Sequence, residues 1–194
     1  MKYIFLDFDG VINNWNHFEG VAEENAIVLK RIVDITKAKI IVTSSNKYAL
    51  QCDNTIEYYS SNFYNMYVKK LNEFGIKIFD LTPMCECNRS LEIKKYILDH
   101  NVENYVIIDD ELVDFELQEH QVFLDLYRGL QIEHIKPIIN ILNGNLGFYP
   151  ENYDRSETSK ELNYRINRYY NKNYKIVWNW FFGVIFNYIL NIII

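Results

Sequence analysis

YIFLDFDGV, residues 3–11, is an apolar run that stops abruptly at two aspartates one residue apart, Asp7 and Asp9, before Gly10 lets the backbone turn away. A buried strand that delivers paired carboxylates to its carboxyl end is costly unless those charges meet a partner there. In open α/β sheets that edge is where ligands bind. A carboxylate pair in this position, with a glycine behind it, suggests metal-assisted phosphoryl transfer.

Outward from this strand, short apolar runs alternate with amphipathic stretches. Residues 23–36 carry Ala26, Leu29, Ile32 and Val33 at helical spacing. Residues 39–42 (KIIV) read as a second buried strand, ending at Thr43-Ser44-Ser45-Asn46. Residues 64–74 repeat apolar positions at Met66, Tyr67, Leu71 and Phe74, with Gly75 as a stop signal. A strand over 77–80 and a turn around Pro83 follow, then a helix over 90–100 with Leu91, Ile93, Ile97 and Leu98 turned inward. Residues 105–108 (YVII) form a strand ending at Asp109-Asp110, 122–124 another, and 132–142 a closing helix. This alternation predicts an α/β fold: a Rossmann-like, doubly wound, mostly parallel sheet. The stretches 11–40 and 46–88 have room for a flap, a helix and loops, but for no large cap domain.

The 194 residues suffice for one domain with a full core and an appendage. The expected organisation is a domain over residues 1–143, a polar and basic linker over 144–175, and a hydrophobic segment over 176–194. A net charge of −6 argues against a generally basic nucleic-acid binder. Three cysteines make a disulfide framework improbable, and the CxC of Cys85 and Cys87 has no second Cys/His pair at zinc-ligand spacing. The histidines His17, His100, His120 and His134 form no ligand spacing either.

At the N-terminus the apolar run meets Asp7 far too soon for a signal peptide. The 19 residues 176–194 contain no charge, follow Arg165, Arg168, Lys172 and Lys175, and bring Trp178 and Trp180 to one end. That pattern suits a transmembrane anchor holding a cytoplasmic domain at the membrane. The stripe Asn179, Gly183, Asn187 and Asn191 fits another helix in the membrane, and equally the semi-polar face of a helix packed on the domain.

Four signals fall in order along the chain: Asp7-Phe8-Asp9-Gly10-Val11, the hydroxyls of Thr43-Ser44, the cation Arg89, and Asp109-Asp110. Taken singly, each has a plain structural explanation: a turn, a helix N-cap, a solvated cation, a cap. Together they resemble the four motifs of the haloacid dehalogenase-like (HAD) phosphatase superfamily. Within it, VTSSNK, RSLEIKKYI, VIIDDE and FLDLYRGL look most like the HAD domains of Swiss Army Knife RNA repair proteins.

The resemblance implies a Mg²⁺-dependent phosphatase in which Asp7 attacks phosphorus and forms an aspartyl-phosphate, while Asp9 protonates the leaving oxygen and then activates water. Thr43, helped by Ser44, would bind a phosphoryl oxygen through hydroxyl and backbone N–H groups, with Gly10 beside them on the substrate side. Arg89 would balance the phosphoryl charge where the superfamily more often has Lys, and Lys94 is the alternative. Asp7, the Asp9 carbonyl and Asp110 would ligate the metal, with Asp109 orienting them from behind, and Asp114 matches a later acid of the motif. Asp125 could face the site or serve a turn. Trp15, His17 and Phe18 stand where a flap belongs, to stack on a base or simply to fill space.

A minimal cap admits large substrates, so a phosphorylated nucleotide or polynucleotide end is the favoured partner. A membrane-tethered phosphatase of lipid or protein phosphate, and a non-catalytic HAD-fold binding module, are the alternatives.

Overall fold

Five parallel strands form the sheet, in the order β3-β2-β1-β4-β5. They are β1 (Lys2–Leu6), β2 (Lys39–Val42), β3 (Ile78–Leu81), β4 (Asn104–Asp109) and β5 (Gln121–Phe123). The computed structural model describes residues 1–14, 20–47, 64–85 and 88–147. Trp15, His17, Phe18, Cys87 and the hydrophobic segment 176–194 therefore lie outside the described residues. Among the described residues no helix is long and apolar enough to cross a membrane.

The strands form where apolar runs are expected; β1, β2 and β4 are covered on both faces, whereas Phe79 on the edge strand β3 is exposed. In β1, Ile4 and Leu6 enter one core with Leu29, Ile32, Val106, Ile108, Ile138 and Ile141. Phe5, between them, enters the other with Ile41, Ile93, Tyr96, Tyr105 and Ile107. The first core packs helices α1 (Glu23–Thr36) and α4 (Ile135–Leu142) on one face; α3 (Arg89–His100) covers the opposite face. Between β2 and β3, a π-helical stretch Tyr64–Lys69 runs into the single turn α2 (Lys70–Glu73), with Tyr67 and Leu71 buried. Chain order reverses between β2-β1 and β4, so β1 stands at the switch point where open α/β sheets gather ligands.

One expectation from periodicity needs correction. In α3 the inward residues are Ser90, Glu92, Ile93 and Tyr96, whereas Leu91 and Leu98 are exposed. A charged Glu92 counts as outward in any apolar pattern, and its buried partner lies 45 residues away. Between β4 and β5, residues Phe115–His120 form a 3₁₀ stretch that buries Leu117.

A buried asparagine ties the first βα connection to the loop after β5. Asn25, fully buried in α1, donates through Nδ2 to the carbonyls of Val11, Arg128 and Leu130 at 3.0–3.2 Å and accepts from Asn14 at 3.0 Å. Gly129 closes against it with φ +63°, where a Cβ would lie 2.7 Å from the Val11 oxygen. Val11 O keeps the Leu130 N–H and Arg128 O keeps Gln131 Nε2, but Asn25→Ala removes the donor to Leu130 O and so should lower unfolding free energy by about 1–3 kcal/mol in urea titrations.

Candidate active site

The ends of β1, β2 and β4 meet side by side, and the ladder continues one residue past them. Asp7 N–H donates to Ile108 O at 3.1 Å, Thr43 N–H to Leu6 O at 2.9 Å, and Leu124 N–H to Asp109 O at 3.0 Å. Backbone pairing thus sets where Asp7, Thr43 and Asp109 stand before their side chains interact.

Asp7, Asp109 and Asp110 bring carboxylate oxygens within 4.8 Å of one another. Asp7 is 4% exposed and Asp109 is 0% exposed. Among the described residues, the ion pairs into this group come from Arg89, the first residue of α3. Its Nη1 lies 2.6 and 2.8 Å from the two Asp109 oxygens, 3.3 Å from Asp7 Oδ2 and 3.5 Å from Glu111. Asn88 caps that helix by accepting the Leu91 N–H at 3.0 Å, which orients its first turn. Asp109 Oδ1 also accepts the Glu111 N–H at 2.8 Å, so both of its oxygens are occupied.

One guanidinium does not balance two buried acids and a half-buried third. Burial raises the Asp7 pKa to about 6 against the pull of Arg89, and Asp9 adds to the rise. Burial, then Asp7, pushes Asp109 up to about 8. Asp110 is pushed well above the carboxylate range by burial and then by the charges of Asp7 and Asp109. Burial opposes the charge on Arg89, but Asp7, Asp109 and Glu111 hold its pKa above the usual value. The excess of negative charge and the all-oxygen donor set fit a hard divalent cation.

Two buried side-chain polar atoms among the described residues have no hydrogen-bond partner, Asp7 Oδ1 and Thr43 Oγ1. They stand on neighbouring strands, one residue past the paired Leu6 and Val42. Ser44, also fully buried, supports the charged form of Asp7 through its side chain. A buried polar atom left without a partner costs about 1–3 kcal/mol, and two side by side mark a seat for an oxygen-rich ligand.

Asp9 stands apart from this group. It is exposed, and its Oδ1 accepts from Asn13 Nδ2 at 2.7 Å and from the Tyr67 hydroxyl at 3.2 Å. Tyr67 stacks on Phe8, ring centroids 5.0 Å apart and 13° from parallel. Burial, and then the Asp9 charge, raises the phenol pKa, so Tyr67 stays a donor. Asn13 and Tyr67 escape a sequence reading. Asn13 looks like part of a turn, and Tyr67 is 58 residues from Asp9 with no local signal linking them.

Gly10 contributes space. Its φ is +70°, and a Cβ there would lie 2.5 Å from Asp110 Cγ and Oδ2. Its N–H is taken by Asn13 Oδ1 at 2.7 Å, and that of Thr43 by the sheet, which corrects the expectation of backbone donors from Thr43 toward a phosphoryl group. Lys94 does not reach the cluster. It pairs at the surface with Asp114 at 2.8 Å and with Glu116, which removes both Lys94 and Asp114 from the candidates. Asp125 serves a turn, accepting the Tyr127 N–H at 2.8 Å.

A family model for the HAD domain in Swiss Army Knife RNA repair proteins matches residues 3–135. The chain belongs to this family. The match opens on β1 and closes at the start of α4, so the three strand-end signals and Arg89 all fall inside it. No curated protein and no solved structure matches the chain significantly. Membership makes HAD-type hydrolase chemistry, the phosphatase class, the frame for the site.

Two tests follow from the geometry. Raised carboxyl pKa values mean that the folded chain holds protons the unfolded chain has released. The corresponding stability is fully present below the ordinary value of 3.8 and is lost as pH rises through the raised values. In chelating buffer the urea midpoint should therefore fall from about pH 5 to about pH 8, and Asp7→Asn should flatten that slope. Gly10→Ala forces either strain at positive φ or a shift of Asp110, so it should weaken divalent-ion binding, measured by calorimetry, at least about tenfold.

Proposed function

We propose that this HAD domain is a Mg²⁺-dependent phosphomonoester hydrolase working through an aspartyl-phosphate on Asp7. The observation that carries the reading is the pair of buried, unpartnered oxygens, Asp7 Oδ1 and Thr43 Oγ1, on neighbouring strand ends beside a cluster of acids. Arg89 engages Asp7 Oδ2, leaving Oδ1 as the attacking atom. Thr43 Oγ1 donates to a phosphoryl oxygen, and Ser44 supports the Asp7 carboxylate.

Asp7 Oδ1 forms the new bond to phosphorus as the bond to the leaving oxygen breaks. Asp9, fixed by Asn13 and Tyr67, gives its proton to that oxygen. In the second half Asp9 takes a proton from water, whose oxygen displaces Asp7 from phosphorus and releases inorganic phosphate. Asp7, Asp110 and the Asp9 carbonyl would hold the metal, while Asp109, saturated by Arg89 and the Glu111 N–H, would orient the cluster from behind. Mg²⁺ when bound supplies the positive charge that lets an anionic nucleophile meet a phosphate dianion. Retention of both Asp7 and Asp9 favours catalysis over a purely binding module, which has no use for a proton-transferring carboxylate.

The favoured substrates are phosphorylated nucleotides or polynucleotide ends. Support comes from the RNA-repair context in the family's description and from the lengths of the stretches 11–40 and 46–88, which leave no room for a large cap domain. A panel of nucleotides, 5′- and 3′-phosphorylated oligonucleotides, phosphopeptides and lipid phosphates, assayed with the full chain, separates these from lipid or protein phosphate.

Phosphate release should require Mg²⁺ and vanish in Asp7→Asn, whereas activity persisting in that variant would defeat the mechanism. Asp9→Asn should lower kcat about 10²–10⁴-fold. Tyr67→Phe, which removes one hydrogen bond to Asp9, should lower it about tenfold with KM little changed.

A further inference from the structure

Lys47 ranks with Phe5 and Phe8 among the largest fully buried side chains, at 0% exposure. Its ammonium group makes an ion pair with Glu92, itself 3% exposed. A lysine without solvent contact is unusual, because its charge is strongly hydrated and burial removes that hydration. Apolar side chains of similar volume would commonly serve stability as well or better than a buried ion pair. The location of this one suggests what it does instead.

Lys47 closes the 3₁₀ turn Ser45–Lys47, and its N–H donates to Ser44 O at 3.0 Å. It is thereby tied to the loop that carries Thr43 and Ser44. Glu92 lies one turn beyond Arg89 on α3, with its N–H on Asn88 O at 3.0 Å. Its second oxygen, Oε1, accepts the Cys85 N–H at 3.2 Å, in the segment that enters α3. The ion pair thus joins the hydroxyl loop after β2 to the helix that delivers the guanidinium, and each partner sits three residues past a site residue, Lys47 past Ser44 and Glu92 past Arg89. A charge pair is satisfied in only a narrow range of separation and direction, whereas apolar contacts tolerate sliding.

We infer that Lys47 and Glu92 are positioning residues: their buried ion pair sets the distance between the Thr43–Ser44 loop and Arg89, and so the width of the phosphoryl seat. Neither residue touches substrate. The inference rests on the phosphatase reading for its activity arm, while the seat can also be probed without turnover.

The experiment uses the full chain with Lys47→Met/Glu92→Met and with the charge-swapped Lys47→Glu/Glu92→Lys, whose summed side-chain length is unchanged. Thermal unfolding, steady-state release of phosphate from an aryl phosphate with Mg²⁺, and orthovanadate binding by calorimetry are measured on each. The apolar pair should fold with near-native unfolding behaviour, yet lose at least tenfold in vanadate affinity and in kcat. The swapped pair should recover both to within about threefold of wild type.

An apolar pair that folds and keeps native vanadate affinity and kcat would overturn the inference. So would a swapped pair that folds natively but binds vanadate tenfold more weakly than wild type, which decides the matter if the apolar pair does not fold. If wild type binds vanadate but releases no phosphate, the phosphatase reading fails while the vanadate arm still tests the positioning role.

Discussion

Three carboxylates held against one guanidinium, at the ends of adjoining strands, form the constraint around which the rest of the structure is arranged. Such charges repel one another and lose hydration on burial, a cost of several kcal/mol per ion. Side-chain attraction among the acids cannot hold them together. The parallel ladder does, by pairing Asp7 N–H with Ile108 O and Thr43 N–H with Leu6 O beyond the formal strand ends. Gly10 adds the space that lets Asp110 approach β1, and Asn88 sets the start of the helix that brings Arg89. The raised carboxyl pKa values are the electrostatic trace of this imbalance.

Two aspartates separated by one residue acquire opposite environments from the same turn. Asp7 is enclosed with other acids and one arginine; Asp9 faces solvent, with its oxygen held by Asn13 and Tyr67. Strand alternation by itself would put residues 7 and 9 on one face; the divergence arises because β1 ends at Leu6 and the turn that begins at Asp9 and Gly10 carries the chain away. In the proposed mechanism, environment rather than residue type separates the carboxylate that attacks phosphorus from the one that carries a proton. Tyr67 also links that division of labour to the segment between β2 and β3, because its stacking on Phe8 fixes the hydroxyl.

Most of the strands and three of the four site signals were legible because each depends on a local run: apolar residues over 3–6, 39–42 and 105–108, each ending in an acid or hydroxyl. The face of α3 was not. Leu91 and Leu98 look inward-facing by hydrophobicity, yet they are exposed, and Glu92 is buried because Lys47 awaits it from another part of the chain. The choice between Arg89 and Lys94 was likewise undecidable from spacing. Five residues along the helix, Lys94 emerges on the surface beside Asp114 and Glu116.

What the sequence by itself determined is the order of the elements and the identity of the chemical groups at strand ends, since both follow from short-range hydrophobic runs and the residues that interrupt them. Tertiary structure alone decided which oxygens remain unpartnered, which cation meets the acids, and which side chains brace them. Asp7 Oδ1 and Thr43 Oγ1 are left without partners, Arg89 rather than Lys94 reaches the acids, and Asn13, Tyr67, Lys47 and Glu92 serve as braces. Those outcomes depend on distances between residues far apart in the chain, and only the assembled sheet and the helices packed on it fix such distances.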